Sequence, residues 1–246
     1  MLKLDLSGSV PQLYLYGLVA KPSWWAGDDV ISADGVLGLL DQVDPGSELL
    51  VRINSEGGDV FEGVAIYNAL ARRGARVEVR IDALAASIAS VIAMAGDEIV
   101  IAGNAMIMVH QAWTWADGNA DELQKIAAML REVDETILNT YEARVGSKAT
   151  RDQIAAWQAA ETWMGPAEAV ERGFADRVGE LKTGVAAAVK AGRFRNTPRQ
   201  LLEAPPPPPP STSRIQEPGR AASTLPAIAA KLRTVRARAR NRLPPK

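Results

Sequence analysis

Three short segments carry residues whose types and spacing could do chemistry. In Asp82-Ala83-Leu84-Ala85-Ala86-Ser87-Ile88-Ala89-Ser90, four alanines crowd Ser87 where a helix should begin. Small neighbours admit a substrate closely, and the Ile88 amide would lie at the positive end of that helix, where developing negative charge is favoured. A plain N-cap is the alternative role for Ser87, and Ser90, one turn further on, reads as a packing residue. Met106-Ile107-Met108-Val109-His110-Gln111 is an apolar strand ending in the only histidine of the chain. A histidine at a strand end is commonly structural, but a serine nucleophile needs a base, and this is the one imidazole available. The third segment, Asn54-Ser55-Glu56-Gly57-Gly58, is a paired-glycine turn leaving a strand. It is either a tight strand-to-helix turn or a backbone N–H donor for an oxyanion or a peptide strand.

Composition narrows the chemistry further. The chain has 246 residues, no cysteine and one histidine. A thiol nucleophile, a disulfide scaffold and Cys- or multi-His metal sites are thereby excluded, and neither a metal nor another cofactor is expected. The motifs for a phosphate-binding loop, a dinucleotide fold, a zinc protease and a G-x-S-x-G nucleophile elbow are absent. The formal net charge of −1 hides a split. From Pro205 onward there are nine basic residues and only Glu217 as an acid, together with ten of the 15 prolines. Residues 1–200 therefore read as one folded domain, and 201–246 as a disordered, Pro-rich, basic tail whose Pro205–Pro210 run forms an extended spacer. No signal peptide or membrane span is visible, so a cytoplasmic protein is expected.

The elements that must position these residues follow from periodicity. Residues 48–54 predict a strand, Asp59–Arg73 an amphipathic helix closed by Gly74, and 75–82 a second strand. Ala85–Ala95 predicts a small-residue helix, followed by short strands at 98–102 and 105–110. This alternation predicts a parallel, right-handed βαβ arrangement. Asn119–Val145 predicts a long helix striped by Leu123, Ile126, Leu130, Val133, Ile137, Leu138 and Tyr141, which serves either core packing or a subunit contact. Shorter helices are predicted at Thr150–Gln158 and Pro166–Arg172. The fold class is α/β with a substantial helical extension.

Taken together, the segments resemble the Clp protease proteolytic subunit (ClpP) family over about Leu13 to Val178. The likeness rests on INS-x-GG at Ile53–Gly58, A-A-S at Ala85–Ser87, M-x-H-Q at Met108–Gln111, the long helix, and E-A-V-x-x-G-x-x-D at Glu168–Asp176. It implies a ClpP/crotonase-like βαβ spiral, with Ser87 as nucleophile, His110 as general base, and the amides of Gly57 and Ile88 as oxyanion hole. The family's third triad residue, an aspartate, falls on Glu161, with Asp176 and Asp152 as alternatives. Leu84, where the family usually has a polar residue, is a second departure.

The Pro-rich basic tail, Trp24-Trp25 and the Glu161-Thr162-Trp163 segment are more similar to ClpP-related head maturation proteases of tailed phages. That resemblance implies an endopeptidase acting on capsid or scaffold proteins in a prohead in the host cytoplasm. It also implies a homo-oligomeric ring and leaves open an ATPase partner. The tail could contact nucleic acid or an acidic protein surface, or be a plain extension. The alternatives are a housekeeping ATP-dependent proteolytic subunit, a crotonase-type acyl-CoA enzyme and a non-catalytic capsid scaffold.

Overall fold

Two ten-residue strands, β3 (Leu49–Gly58) and β4 (Val77–Ala86), form the centre of the sheet; buried and half-buried residues alternate along β3 and along β4 up to Asp82, after which Ala83 to Ala86 are all buried. That period of two is what a sheet covered on one face by helices requires. The computed structural model describes residues 1–23, 30–179 and 193–202. Trp24-Trp25, the proline spacer and the basic tail lie outside the described residues.

Before β3 come β1 (Leu2–Asp5), β2 (Gln12–Val19) and α1 (Ala33–Leu40). Between β3 and β4 runs α2 (Val60–Ala71), N-capped by Asp59, whose carboxylate accepts the amides of Phe61 and Glu62. After β4 follow α3 (Ile88–Ala93), β5 (Glu98–Ala102), β6 (Met106–Val109) and the 26-residue α4 (Ala120–Val145). The described chain continues through α5 (Arg151–Ala159), β7 (Thr162–Met164), α6 (Pro166–Glu171), β8 (Arg177–Gly179) and the short α7 (Arg199–Leu202). The main sheet runs β1-β2-β3-β4-β5-β8, with β1 antiparallel and the other neighbours parallel. The parallel βαβ expectation holds over this sheet. The elements β1, β2, α1, β7, β8 and α7 are not among those that periodicity predicts.

One expectation changes at the place that matters most. The alanine-rich stretch predicts a helix from Ala85, but Leu84–Ala86 remain in β4 and α3 starts only at Ile88. The reason is pairing: β4 bonds to β5 at Glu78–Ile81 and then to β6 at Leu84–Ala86. That ladder overrides the intrinsic helix preference of alanine. Strand β3 likewise runs through both glycines of the paired-glycine turn.

The long helix begins with a capping box between Asn119 and Glu122. Of its predicted stripe, Ile137, Leu138 and Tyr141 are buried together with Val145, whereas Leu123 is exposed. Only the C-terminal half of α4 thus packs on the main core. There Phe174 is fully buried, edge-on to Tyr141 at 5.3 Å and tilted against Trp157 at 6.1 Å. Phe174→Ala should lower stability in denaturant unfolding by about 3–5 kcal/mol, the usual range for removing a buried aromatic ring. A loss below about 1 kcal/mol would show that α4, α5 and the segment after α6 are not packed as a unit.

Candidate active site

Ser87 stands at the corner between β4 and α3, with φ 55° and ψ −131°. A non-glycine residue in this region is strained by about 1–3 kcal/mol and persists only where its surroundings hold it. Here the surroundings do. The Ser87 amide donates to the Met108 carbonyl at 2.9 Å. Its own carbonyl accepts the Ser90 hydroxyl at 2.5 Å, and Ser90 Oγ also contacts the buried Tyr141 hydroxyl at 2.8 Å. Ser90 is therefore the packing residue expected, with the added task of fixing the corner. Ser87 occupies the N-cap position of α3 but makes no side-chain cap bond, which leaves its hydroxyl for another partner.

That partner is His110. Ser87 Oγ and His110 Nε2 lie 2.7 Å apart. Register explains the contact: β4 and β6 pair in parallel up to Ala86 opposite Met108, Ser87 is the next residue after β4, and His110 follows Val109, the last residue of β6. Strand β7 is antiparallel to β6, with Val109 opposite Thr162. One further step in that register sets Glu161 opposite His110. Glu161 is buried and also has a positive φ, 51°. Its carboxylate accepts the Arg195 amide at 2.9 Å and the Asn196 amide at 2.5 Å, with the Trp163 indole N–H at 3.4 Å. Among the described residues, no hydrogen bond joins Glu161 to the imidazole; they share a cavity of about 560 Å³. A second lobe of about 390 Å³ reaches from His110 past Ser87 to Gly58 and Val60.

The alternative acids are elsewhere. Asp176 accepts the Ile99 amide at 2.6 Å and pairs with Arg144, and Asp152 is exposed in the first turn of α5. Gly57 has φ 82°, and a Cβ there would come within 2.6 Å of the Ala86 carbonyl oxygen and 3.1 Å of the Ile88 nitrogen. Only glycine fits so close to the serine corner. Its N–H donates to Ser55 Oγ at 3.0 Å. Both amides expected as oxyanion donors thus flank Ser87, but the Gly57 amide already has an acceptor within its own chain.

The electrostatics of the pair are dominated by burial. Removal from water pushes His110 from the ordinary imidazole value of 6.5 down to about 4. Glu161 opposes that shift, while Arg193 and Arg195 add to it. The imidazole is therefore neutral at physiological pH and able to accept a proton from Ser87. The described residues contain no group of three or more His, Asp or Glu that could hold a metal ion. Sequence reasoning missed the segment around Arg193–Asn196, which has no motif to signal it. It also missed Asp134 of α4, whose carboxylate accepts the Ala112 amide at 2.6 Å and anchors the chain leaving His110.

A serine on a strained strand-to-helix corner, bonded to a buried neutral imidazole in an α/β sheet, is the arrangement of a serine hydrolase. Comparison with known proteins narrows the class. The Clp protease family model matches residues 28–182, and the chain belongs to that family of serine-type peptidases. Similar relatives include ATP-dependent Clp protease proteolytic subunits of Bacteroides fragilis and Deinococcus radiodurans. The first is 30% identical over 141 residues, covering 56% of this chain and 67% of the relative. The second is 30% identical over 142 residues, covering 57% and 69%. The corresponding subunit of Porphyromonas gingivalis is 29% identical over 141 residues, covering 56% and 63%. Across these three, the match spans between 63% and 69% of the relative's length.

Because the chain has one histidine, its ring protons give an unambiguous NMR titration. The midpoint should lie well below 6.5, near 4. The sign for stability follows from linkage: between those two values the unfolded chain holds a proton that the folded chain refuses. His110 therefore costs stability as pH falls through that window and has no such effect above it. A ring titrating at 6.5 or higher would mean that the imidazole is solvated or firmly paired with a carboxylate.

Proposed function

We propose that the chain is a serine endopeptidase in which Ser87 is the nucleophile, His110 the general base and Glu161 the third member of the triad. The observation that carries this reading is the 2.7 Å contact between Ser87 Oγ and His110 Nε2. In the proposed reaction the Ser87 oxygen attacks the peptide carbonyl as its proton passes to Nε2. The oxyanion forms against the Ile88 amide, with the Gly57 amide as the second donor once it turns from Ser55. His110 then returns the proton to the leaving amine, and water repeats the cycle on the acyl-serine. General-base assistance of this kind is worth about 10²- to 10⁴-fold, and an oxyanion donor about 10²- to 10³-fold.

The substrate class we propose is protein, in particular capsid or scaffold proteins of a tailed phage, cleaved within a homo-oligomeric assembly. Support comes from the proline run and the nine basic residues beyond it, which together would give a peptidase domain a docking arm for nucleic acid or an acidic protein surface. A second reading is favoured by the relatives, which are named ATP-dependent proteolytic subunits: the chain would then act with an ATPase partner.

Ser87→Ala and His110→Ala should each abolish cleavage of co-expressed capsid and scaffold proteins, read by mass spectrometry. The two losses should match, because such residues act as a unit. Cleavage that survives Ser87→Ala would overturn the peptidase assignment in favour of a scaffold or an acyl-CoA enzyme. Within the same assay, Glu161→Gln should lower turnover sharply. Asp176→Asn should change the thermal midpoint but not turnover, since Asp176 ties Ile99 and Arg144 away from the cavity. The reverse pattern would move the third role to Asp176.

A further inference from the structure

Residues 193–202 follow the segment matched by the family, yet they contact both His110 and Glu161. Phe194 stands edge-on to the His110 ring at 5.3 Å and 88°, and edge-on to Trp163 at 5.6 Å and 74°. The imidazole is thus backed by an aromatic pair that limits its rotation and excludes water. The amides of Arg195 and Asn196 go to different oxygens of the Glu161 carboxylate, and the Asn196 side chain donates to the Ala160 carbonyl at 3.0 Å. The strained turn at Glu161 is therefore clamped at its backbone and at its side chain. Arg193 lies 3.6 Å from Glu56, the residue before Gly57.

The same stretch also completes a second apolar cluster, separate from the main core. Phe194 and Leu201 are buried there with Leu84, Ala86 and Met108, the ends of the two strands that present Ser87 and His110. This gives a physical reason for the apolar residue at position 84: its side chain is covered by the later segment. The longer Glu161 meets the same segment through its carboxylate.

We propose that residues 193–202 form a positioning strap, in which Phe194 holds the His110 ring and the Arg195–Asn196 amides hold the Glu161 carboxylate, so that the functional peptidase unit extends through Leu202. None of these residues makes a described contact with Ser87; they act through the base and the acid. The inference rests on the Ser87–His110–Glu161 reading above. Groups that set the charge state of His110 are Glu161, which favours the imidazolium, and Arg193 and Arg195, which disfavour it along with burial.

The test uses full-length Phe194→Ala, Phe194→Leu and Asn196→Pro. The proline removes, at an exposed position, both the backbone amide that reaches Glu161 and the side-chain amide that reaches Ala160. Hydrolysis of a fluorogenic tetrapeptide amide is measured against pH, together with the His110 ring titration. Phe194→Ala and Asn196→Pro should lower kcat on the order of 10- to 100-fold, as expected for misplaced catalytic groups, with KM nearly unchanged. In Phe194→Ala the acidic limb and the ring titration should both move up toward 6.5, and Phe194→Leu should restore most of kcat. Should Phe194→Ala fail to fold, Asn196→Pro decides. Wild-type kcat and an unmoved titration in the variants would make the strap a bystander. A rise in kcat would make it a plug, and either result overturns the proposal. If wild-type protein shows no Ser87-dependent hydrolysis, the peptidase reading fails, and the ring titration alone still reports whether Phe194 seals His110.

Discussion

The site depends on the parallel pairing of the last residues of β4 with β6. Three register pairs, Leu84–Met106, Ala85–Ile107 and Ala86–Met108, bring Ser87 and His110 off the ends of adjacent strands together. Without that pairing the alanine run would be free to extend α3, and the serine would turn into a helix. Much else can be understood as support for this corner. Gly57 gives it room, Ser90 and Tyr141 brace its carbonyl, and the antiparallel β7 brings Glu161 across from the imidazole. Among the described residues, the non-glycine positions with positive φ are Ser87 and Glu161, the two turns proposed to carry chemistry.

Burial and charge pull the histidine in opposite directions. Desolvation by Phe194 and the apolar strand ends favours the neutral ring, and Glu161 favours the imidazolium. Burial wins in the resting structure, in which both carboxylate oxygens are engaged by backbone amides of the strap. A neutral imidazole with a close serine is the right starting state for a base. In the proposed reaction, the imidazolium formed when His110 takes the proton is the charged neighbour that the clamped Glu161 carboxylate stabilises.

How much of this was legible in the sequence depended on whether a residue announces itself locally. Ser87, His110 and Gly57 sit in short segments of unusual composition, and their spacing carries the resemblance. Asp59, Asn119 and Thr150 cap α2, α4 and α5 where periodicity places the helix starts. The helix expected from Ala85 starts later because alanine's strong helical preference is local, whereas the pairing with β6 depends on residues 22 positions away. The strap was invisible for a related reason. Its hydrogen bonds to Glu161 come from backbone amides, which carry no side-chain signature, and Phe194 reads as one isolated aromatic. The outer strands β7 and β8 are three residues each, too short for a period to register.

The claim at the centre is that His110 activates Ser87 from a buried, neutral state. The most direct measurement is the rate at which a fluorophosphonate modifies the protein as a function of pH, followed by intact mass with the modified peptide mapped. The account predicts a single adduct on Ser87, formed at a rate that rises with an acidic midpoint well below 6.5 and collapses in His110→Ala. An adduct that forms equally fast without His110, or that maps to another serine, would contradict it.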